Sequence, residues 1–376
     1  MPKQGYRIID SDMHVMEPPD LWLRYIDDRF KDRAPRVGEI DGSRRAWLSE
    51  GKAFPAFTDH PARGALNRAR YDQEHPKFTR YADARARGYD AQSQLEAMDV
   101  EGVDVAVLFR TMGGHVIAID DMDADLAAAM CRAFNRWLAD HCAADPDRLK
   151  ATAVVPLHDV GLAVREAEYA VGELGHVAIV LPSNPVKKRS WYDPAYDPIW
   201  QAACDLGVPV AFHGIQGAYQ EHLANRYLES LIMMHASAHP LELMLAMGGL
   251  ICGGAFDRFP DLKAGFLEGT CAWVQWWLWR LDDDWEKLGH AERVQLQAKP
   301  SEYFSRHCYV AVEPGEALVT QVIDVLGDDN LVISTDWPHD DSSYPDAMSN
   351  FLAIEGLSGE SKKKILWDNC ARLYGL

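Results

Sequence analysis

The chain has 376 residues, 48% hydrophobic and 25% charged, which suits a folded globular protein with one large core or two ordinary domains. A formal net charge of -19 argues against nucleic acid and anionic membrane surfaces as partners and leaves a small molecule or another protein. Seven cysteines (Cys131, Cys142, Cys204, Cys252, Cys271, Cys308, Cys370) are odd in number and lack paired spacing; with no apolar leader in MPKQGYRIID and no bilayer-length apolar run, a soluble, cytoplasmic, disulfide-free protein is expected.

Eight short runs rich in β-branched residues read as buried strands: 6–9, 103–109, 151–155, 177–181, 208–212, 262–267, 308–312 and 331–335. The first leads into IIDSDMHVMEPPDLW, which crowds Asp12, His14 and Glu17 onto its end. Residues 18–87, rich in Arg, Asp and Pro, break the rhythm and read as an inserted segment that caps the mouth or contacts another subunit. Helical patterns then precede successive strands: DAQSQLEAMDVEG, DADLAAAMCRAFNRWLADH, VREAEYAVGELG, YDPIWQAACDLG and PLELMLAMGGLICGGAFDRFP. Residues 214–235, irregular after the fifth strand, read as a second lid. The tryptophan-rich WVQWWLWRLDDDW reads as an amphipathic packing helix, and the glycines of GGLICGGAF as sites of close helix packing. Eight strands alternating with helices predict a single (β/α)8 TIM barrel over 1–376, with a doubly wound open sheet as the weaker choice.

In such a barrel the chemistry gathers where strands end. Asp12 and His14 follow the first strand, His213 the fifth, Glu268 the sixth and Asp336 the eighth. Asp12 and His14, two apart, point the same way from an extended chain and can grip one ion, with His213 and Asp336 completing a carboxylate–imidazole site for Zn, Fe or Mn. Taken singly, Asp12 also fits a loop cap and His14 a core histidine. Glu17 reads either as a ligand or as part of a helix entry in EPPDLW. His239, before Pro240, is placed at a helix boundary and is a candidate ligand or acid, as is His339, with His235 a weaker candidate. Arg110 and Asn184, after the second and fourth strands, are placed to hold a substrate carboxylate or hydroxyl, although Arg110 fits a structural ion pair equally well. No G-x-S-x-G elbow, P-loop or dinucleotide fingerprint occurs in the proper setting.

IIDSDMHVMEPPDLW, FHG at His213, HPLELMLAMGGLICGGAFDRFPDLKAGFLEG, LVISTDWPHDDSSYP and the closing NCARLYGL together resemble the amidohydrolase-2 family, in the branch of aminocarboxymuconate-semialdehyde and resorcylate-type decarboxylases. The resemblance implies a metal-bearing barrel. Two positions depart from it: Asp12-x-His14 stands where the decarboxylases carry His-x-His or Glu-x-His, and Glu268-Gly269 where they carry a catalytic histidine before glycine. The extra carboxylate also makes the chain similar to dinuclear non-haem iron members. The leading expectation is therefore a hydrolase in which one or two divalent ions on Asp12, His14, Glu17, His213, His239, Glu268 and Asp336 activate water, with Glu268, His239 and His339 moving protons. A dinuclear Fe/Fe or Fe/Mn monooxygenase comes second, a metal-dependent decarboxylase third, and an inactive scaffold subunit fourth. A homodimer or related hetero-oligomer is expected from the insertion and the apolar helix around 241–250.

Overall fold

Strand β1, Ile9–His14, is buried along its whole length although four of its six residues are polar. That is possible because the polar groups are satisfied across the sheet: Ser11 donates to the Ile333 carbonyl, and Asp10 accepts from the Thr335 amide (3.1 Å) and hydroxyl. The expected strand at 6–9 is thus displaced toward the C-terminus, since the apolar run ends where the strand begins. The computed structural model describes residues 3–39, 45–50, 52–54, 79–113, 117–214, 223–227 and 229–376.

Three short antiparallel strands, β2 (Arg36–Glu39), β3 (Arg45–Ser49) and β4 (Lys52–Phe54), form a separate sheet within the inserted segment. Residues 40–44, 51 and 55–78 of that segment lie outside the described residues, so its expected capping role is not visible there. Its far end reaches the rim: Arg80 donates to the Tyr344 and Asp340 carbonyls, and the Tyr81 hydroxyl to the His339 carbonyl.

The remaining strands are parallel. They are β5 (Val105–Phe109), β6 (Leu149–Ala151), β7 (Ala153–Val154), β8 (Ile179–Pro182), β9 (Val210–His213), β10 (Ala264–Leu267), β11 (Cys308–Val312) and β12 (Leu331–Ile333). β6 and β7 are one strand interrupted at Thr152, whose side chain turns to the Leu108 carbonyl. Counting them together gives eight strands in the order β1-β5-β6/β7-β8-β9-β10-β11-β12. The seam between β12 and β1 is closed by His14 N–H to the Trp337 carbonyl (2.7 Å) and Asp336 N–H to the Asp12 carbonyl (3.2 Å). The fold is the TIM barrel that the strand pattern predicts.

Helices cover the barrel, and their ends follow local chemistry. Asp90, Asp123 and Asp159 cap the helices Ala91–Glu101, Ala124–Cys142 and Val160–Gly172 by accepting N–H bonds from Ser93, Leu126 and Leu162. Gly207, in the left-handed region, ends Asp197–Leu206. Close packing explains the GGLICGGAF glycines: a Cβ on Gly249 would meet Trp191 at 3.0 Å.

Two expectations change here. Helix Leu231–Cys252 starts well before Pro240, so His235 and His239 are interior to it and not at its boundary. Ser230 caps it by accepting from Met233, and one face, with Met234, Leu243, Met247, Leu250 and Ile251, packs inward while Ile232, Leu241 and Leu245 stay exposed; the inward packing carries it across the proline. On Ala272–Leu288, Val274 and Leu278 are buried while Trp276 and Trp279 face outward, so the tryptophan cluster packs only in part. Among the described residues, no helix is long and apolar enough to cross a membrane.

Candidate metal centre

β1 ends against β5 on one side and the β12 seam on the other, which carries Asp12 and His14 beside Asp336. Across the barrel the register Pro182, His213, Leu267 aligns β8, β9 and β10, so Glu268 projects one residue past the row that ends in His213. Glu268 (φ 56°) and Asp336 (φ 55°) both sit in the left-handed region, which costs a non-glycine residue about 1–3 kcal/mol and occurs where surrounding structure imposes it. The two rim carboxylates thus hold strained backbone at the ends of the sixth and eighth barrel strands.

Asp12, His14 and His213 bring one ligand atom each within 4.8 Å of one another, as do His14, Asp336 and His339. His14 Nε2 lies 2.9 Å from His213 Nε2, 3.4 Å from Asp12 Oδ1 and 3.2 Å from Asp336 Oδ1. His213 Nδ1 is 2.9 Å from the Gly214 carbonyl, which can only accept, so this ring keeps its proton on Nδ1 and turns the Nε2 lone pair toward His14. Both oxygens of Asp12 are buried without a hydrogen-bond donor, and the buried Oδ1 of Asp336 faces ring nitrogens, His339 Nδ1 at 2.7 Å and His14 Nε2 at 3.2 Å.

Electrostatics point the same way. Burial, then Glu268 and Asp10, push the Asp12 carboxyl well above its usual range; burial, then Glu268 and Asp341, do the same to Asp336. Burial, then His339 and His213, drive His14 well below the ordinary imidazole value, and burial and Arg110 bring His213 down to about 3. Neutral imidazoles and buried carboxylates converge on one point. That is the environment a divalent cation relieves, and the mixed O,N set suits Mn, Fe or Zn.

A second set lies alongside. His235, His239 and Glu268 also bring ligand atoms within 4.8 Å of one another, and Glu268 faces both sets: Oε2 is 2.9 Å from His213 Nε2 and Oε1 is 3.3 Å from His239 Nε2. Burial lowers His239 to about 4. A Cβ on Gly214 would fall 2.2 Å from His239 Nδ1, so only glycine lets this ring lie against the β9 end. His235 pairs with Asp341 at 2.7 Å.

Other candidates take different places. Glu17 is turned away from both sets; its carboxylate accepts the backbone N–H groups of Thr111 (3.0 Å), Met112 (2.9 Å) and Gly113 (2.8 Å). That makes it the anchor of the loop after β5, and corrects its expected place among the ligands. Arg110 is buried beneath the centre and donates to the His213 carbonyl (3.3 Å), its charge facing Glu17, Glu268 and Asp12. Neither it nor Asn184, buried after β8, lines the cavity that opens at the centre. His339 is bound in behind Asp336, with Nδ1 2.7 Å from Asp336 Oδ1 and Nε2 3.1 Å from the Thr111 hydroxyl. That cavity, of about 550 Å3, is walled by His235, His239, Glu268, Glu313, Asp336 and Asp341 among others, with no Lys or Arg among its described lining residues. Thr111, Asp341 and Glu313 were not anticipated from sequence; each acquires its place only through partners distant in the chain.

Comparison with known proteins separates the chemistries that this ligand set leaves open. The gamma-resorcylate decarboxylase of Polaromonas sp. (strain JS666 / ATCC BAA-500) is 26% identical over 311 residues, 79% of this chain and 91% of the relative. The 2-amino-3-carboxymuconate-6-semialdehyde decarboxylase of Dictyostelium discoideum is 23% identical over 303 residues, 80% of each chain. A solved 5-carboxyvanillate decarboxylase from Novosphingobium aromaticivorans DSM 12444, complexed with manganese, superposes with a TM-score of 0.70 at 21% identity, covering 100% of this chain and 97% of its own; at that identity the likeness speaks for the fold. Relatives named as decarboxylases overturn the expectation of a hydrolase, and equally that of a monooxygenase. The amidohydrolase family model (Amidohydro_2) matches residues 9–376, and the chain belongs to that family.

Proposed function

We propose that this chain is a metal-dependent decarboxylase acting on a small aromatic or enoic acid. The observation that carries the reading is the buried cluster of Asp12, His14, His213 and Asp336, whose Asp336 also lines a cavity with described walls that are acidic and lack Lys and Arg. Among the described lining residues an anionic substrate finds no Lys or Arg. Asp12, His14, His213 and Asp336 would hold a divalent ion, manganese by analogy with the carboxyvanillate decarboxylase, which would supply the positive charge for the substrate carboxylate and for the charge left by carbon–carbon cleavage.

Loss of CO2 leaves an electron pair on the former carboxyl-bearing carbon, which must take one proton. Glu268 lines the cavity and is assigned that delivery. His239 Nε2, 3.3 Å from Glu268 Oε1, orients the carboxyl. Glu268 thus stands in for the histidine that the decarboxylases carry after the sixth strand.

The test is to load the protein with Mn2+ and supply 2,6-dihydroxybenzoate, 5-carboxyvanillate and related acids in D2O, following CO2 release and deuterium in the product. The expected result is one solvent deuteron per turnover, lost in Glu268→Gln with bound metal retained. No CO2 from any of these acids by the loaded protein would sink the reading, and full turnover by Glu268→Gln would sink the proton assignment. A second reading, two cations bridged by Glu268, is favoured by its two oxygens facing separate ligand sets. Metal analysis decides it: two ions per chain support it and one retires it.

A further inference from the structure

The Thr111 hydroxyl lies between two imidazoles that belong to different parts of the centre. Its Oγ1 lies 3.2 Å from His14 Nδ1 and 3.1 Å from His339 Nε2. His14 and His339 stack with ring centroids 4.0 Å apart and an interplanar angle of 35°, so the hydroxyl clips two adjacent rings at their edges. The threonine is itself fixed through its backbone, whose N–H is held by Glu17 at 3.0 Å.

A hydroxyl has one proton to give and lone pairs to receive, so the direction of these bonds is coupled. A cation between His14 and His213 needs the lone pair of both Nε2 atoms. For His213 the Gly214 carbonyl enforces this, because it can only accept from Nδ1–H. For His14 the side-chain group at Nδ1 is Thr111 Oγ1, beside the Arg110 backbone that also bonds this ring. When His14 donates Nδ1–H to that oxygen, its Nε2 is bare toward the cation. The threonine proton is then free to go only to His339 Nε2, which leaves the remaining ring proton on Nδ1, directed at Asp336 Oδ1 2.7 Å away. One hydroxyl therefore orders three groups: His14 as ligand, His339 as donor, and Asp336 as the acceptor that His339 holds.

We propose that Thr111 is the positioning residue of the metal centre, acting as a hydroxyl relay that holds His14 with its proton on Nδ1 and ties it through His339 to Asp336. The inference rests on the reading of Asp12, His14, His213 and Asp336 as a cation site. A partner of this kind, outside the ligands themselves, changes metal affinity by about 10–100-fold.

The experiment is titration of wild type, Thr111→Val and Thr111→Ser with Mn2+, following free Mn2+ by its EPR signal. Valine keeps the shape and the backbone bond to Glu17 while removing the hydroxyl; serine restores the hydroxyl. The expected result is Mn2+ binding weakened about 10–100-fold in Thr111→Val and returned to within about threefold of wild type in Thr111→Ser. Equal affinity in all three overturns the proposal, as does equal weakening in valine and serine variants. Failure of wild type itself to bind Mn2+ would instead strike the cation reading. The relay is then read without metal, from 15N-imidazole NMR: Thr111→Val should change the tautomers of His14 and His339 and leave other rings alone, and unchanged spectra overturn it.

Discussion

Replacing Asp12 by asparagine should raise stability without metal and shrink the stabilisation that metal adds. Asp12 is fully buried, and neither of its oxygens accepts a hydrogen bond. An unsatisfied buried acceptor costs about 1–3 kcal/mol, and asparagine, nearly the same shape, can donate to the imidazole nitrogens at 3.4 and 3.7 Å. With an unfolding entropy of about 2.1 cal/mol/K per residue, a chain of this length gains roughly 1 °C in Tm per kcal/mol, so the metal-free variant should melt about 1–4 °C higher than wild type. Mn2+ at about a thousand times its Kd stabilises the native state by about 4 kcal/mol, hence by about 5 °C. Losing a charged ligand weakens binding at least about as much as losing an outer partner, some 100-fold, and the same Mn2+ concentration then adds only about 2 °C. Differential scanning calorimetry with and without MnCl2 measures both arms. The reasoning is refuted if the metal-free variant melts below wild type, or if Mn2+ raises both proteins equally.

Gly214→Ala places a methyl 2.2 Å from His239 Nδ1, so that ring must move; a loss of about 1–3 kcal/mol in denaturant unfolding and a fall in kcat should occur with metal content unchanged. Glu17→Gln should cost about 1–3 kcal/mol by weakening its hold on three backbone amides, yet keep wild-type metal stoichiometry; loss of metal outright would restore Glu17 to the ligands. His176, buried far from the centre and bonded to the Asn135 carbonyl at 3.2 Å, has its pKa lowered by burial to about 4. The unfolded chain therefore binds a proton that the native state refuses, and stability is lost as pH falls through the window from about 6.5 to about 4, by on the order of 3 kcal/mol. His176→Asn should flatten that slope; an unchanged pH profile by urea denaturation would count against it.

The rim residues were legible because the polar residues that matter follow apolar runs of strand length. His213 and Asp336 could be placed this way without knowing their neighbours. β1 was misplaced by the same rule, since its buried face is polar and its partners, Ile333 and Thr335, lie at the other end of the chain. Glu17 looks like a ligand from spacing alone; only the folded loop at Thr111–Gly113 reveals that three amides occupy it. Thr111 was unreadable, because its role depends on His14 and His339, 97 and 228 residues away. The reaction was the least legible feature, because a carboxylate–imidazole set serves water activation, oxygen chemistry and carbon–carbon cleavage alike.

Because His14 N–H and the Asp12 carbonyl are paired with Trp337 and Asp336, the centre straddles the place where the two ends of the cylinder meet. A ribosome-bound chain holds Asp12 and His14 more than three hundred residues before their counterpart at 336 emerges. Completion of the set that includes Asp336 is thereby deferred until the seam closes, and a chain cut before residue 330 would retain most of its helices while lacking the Asp336 and His339 side of the centre.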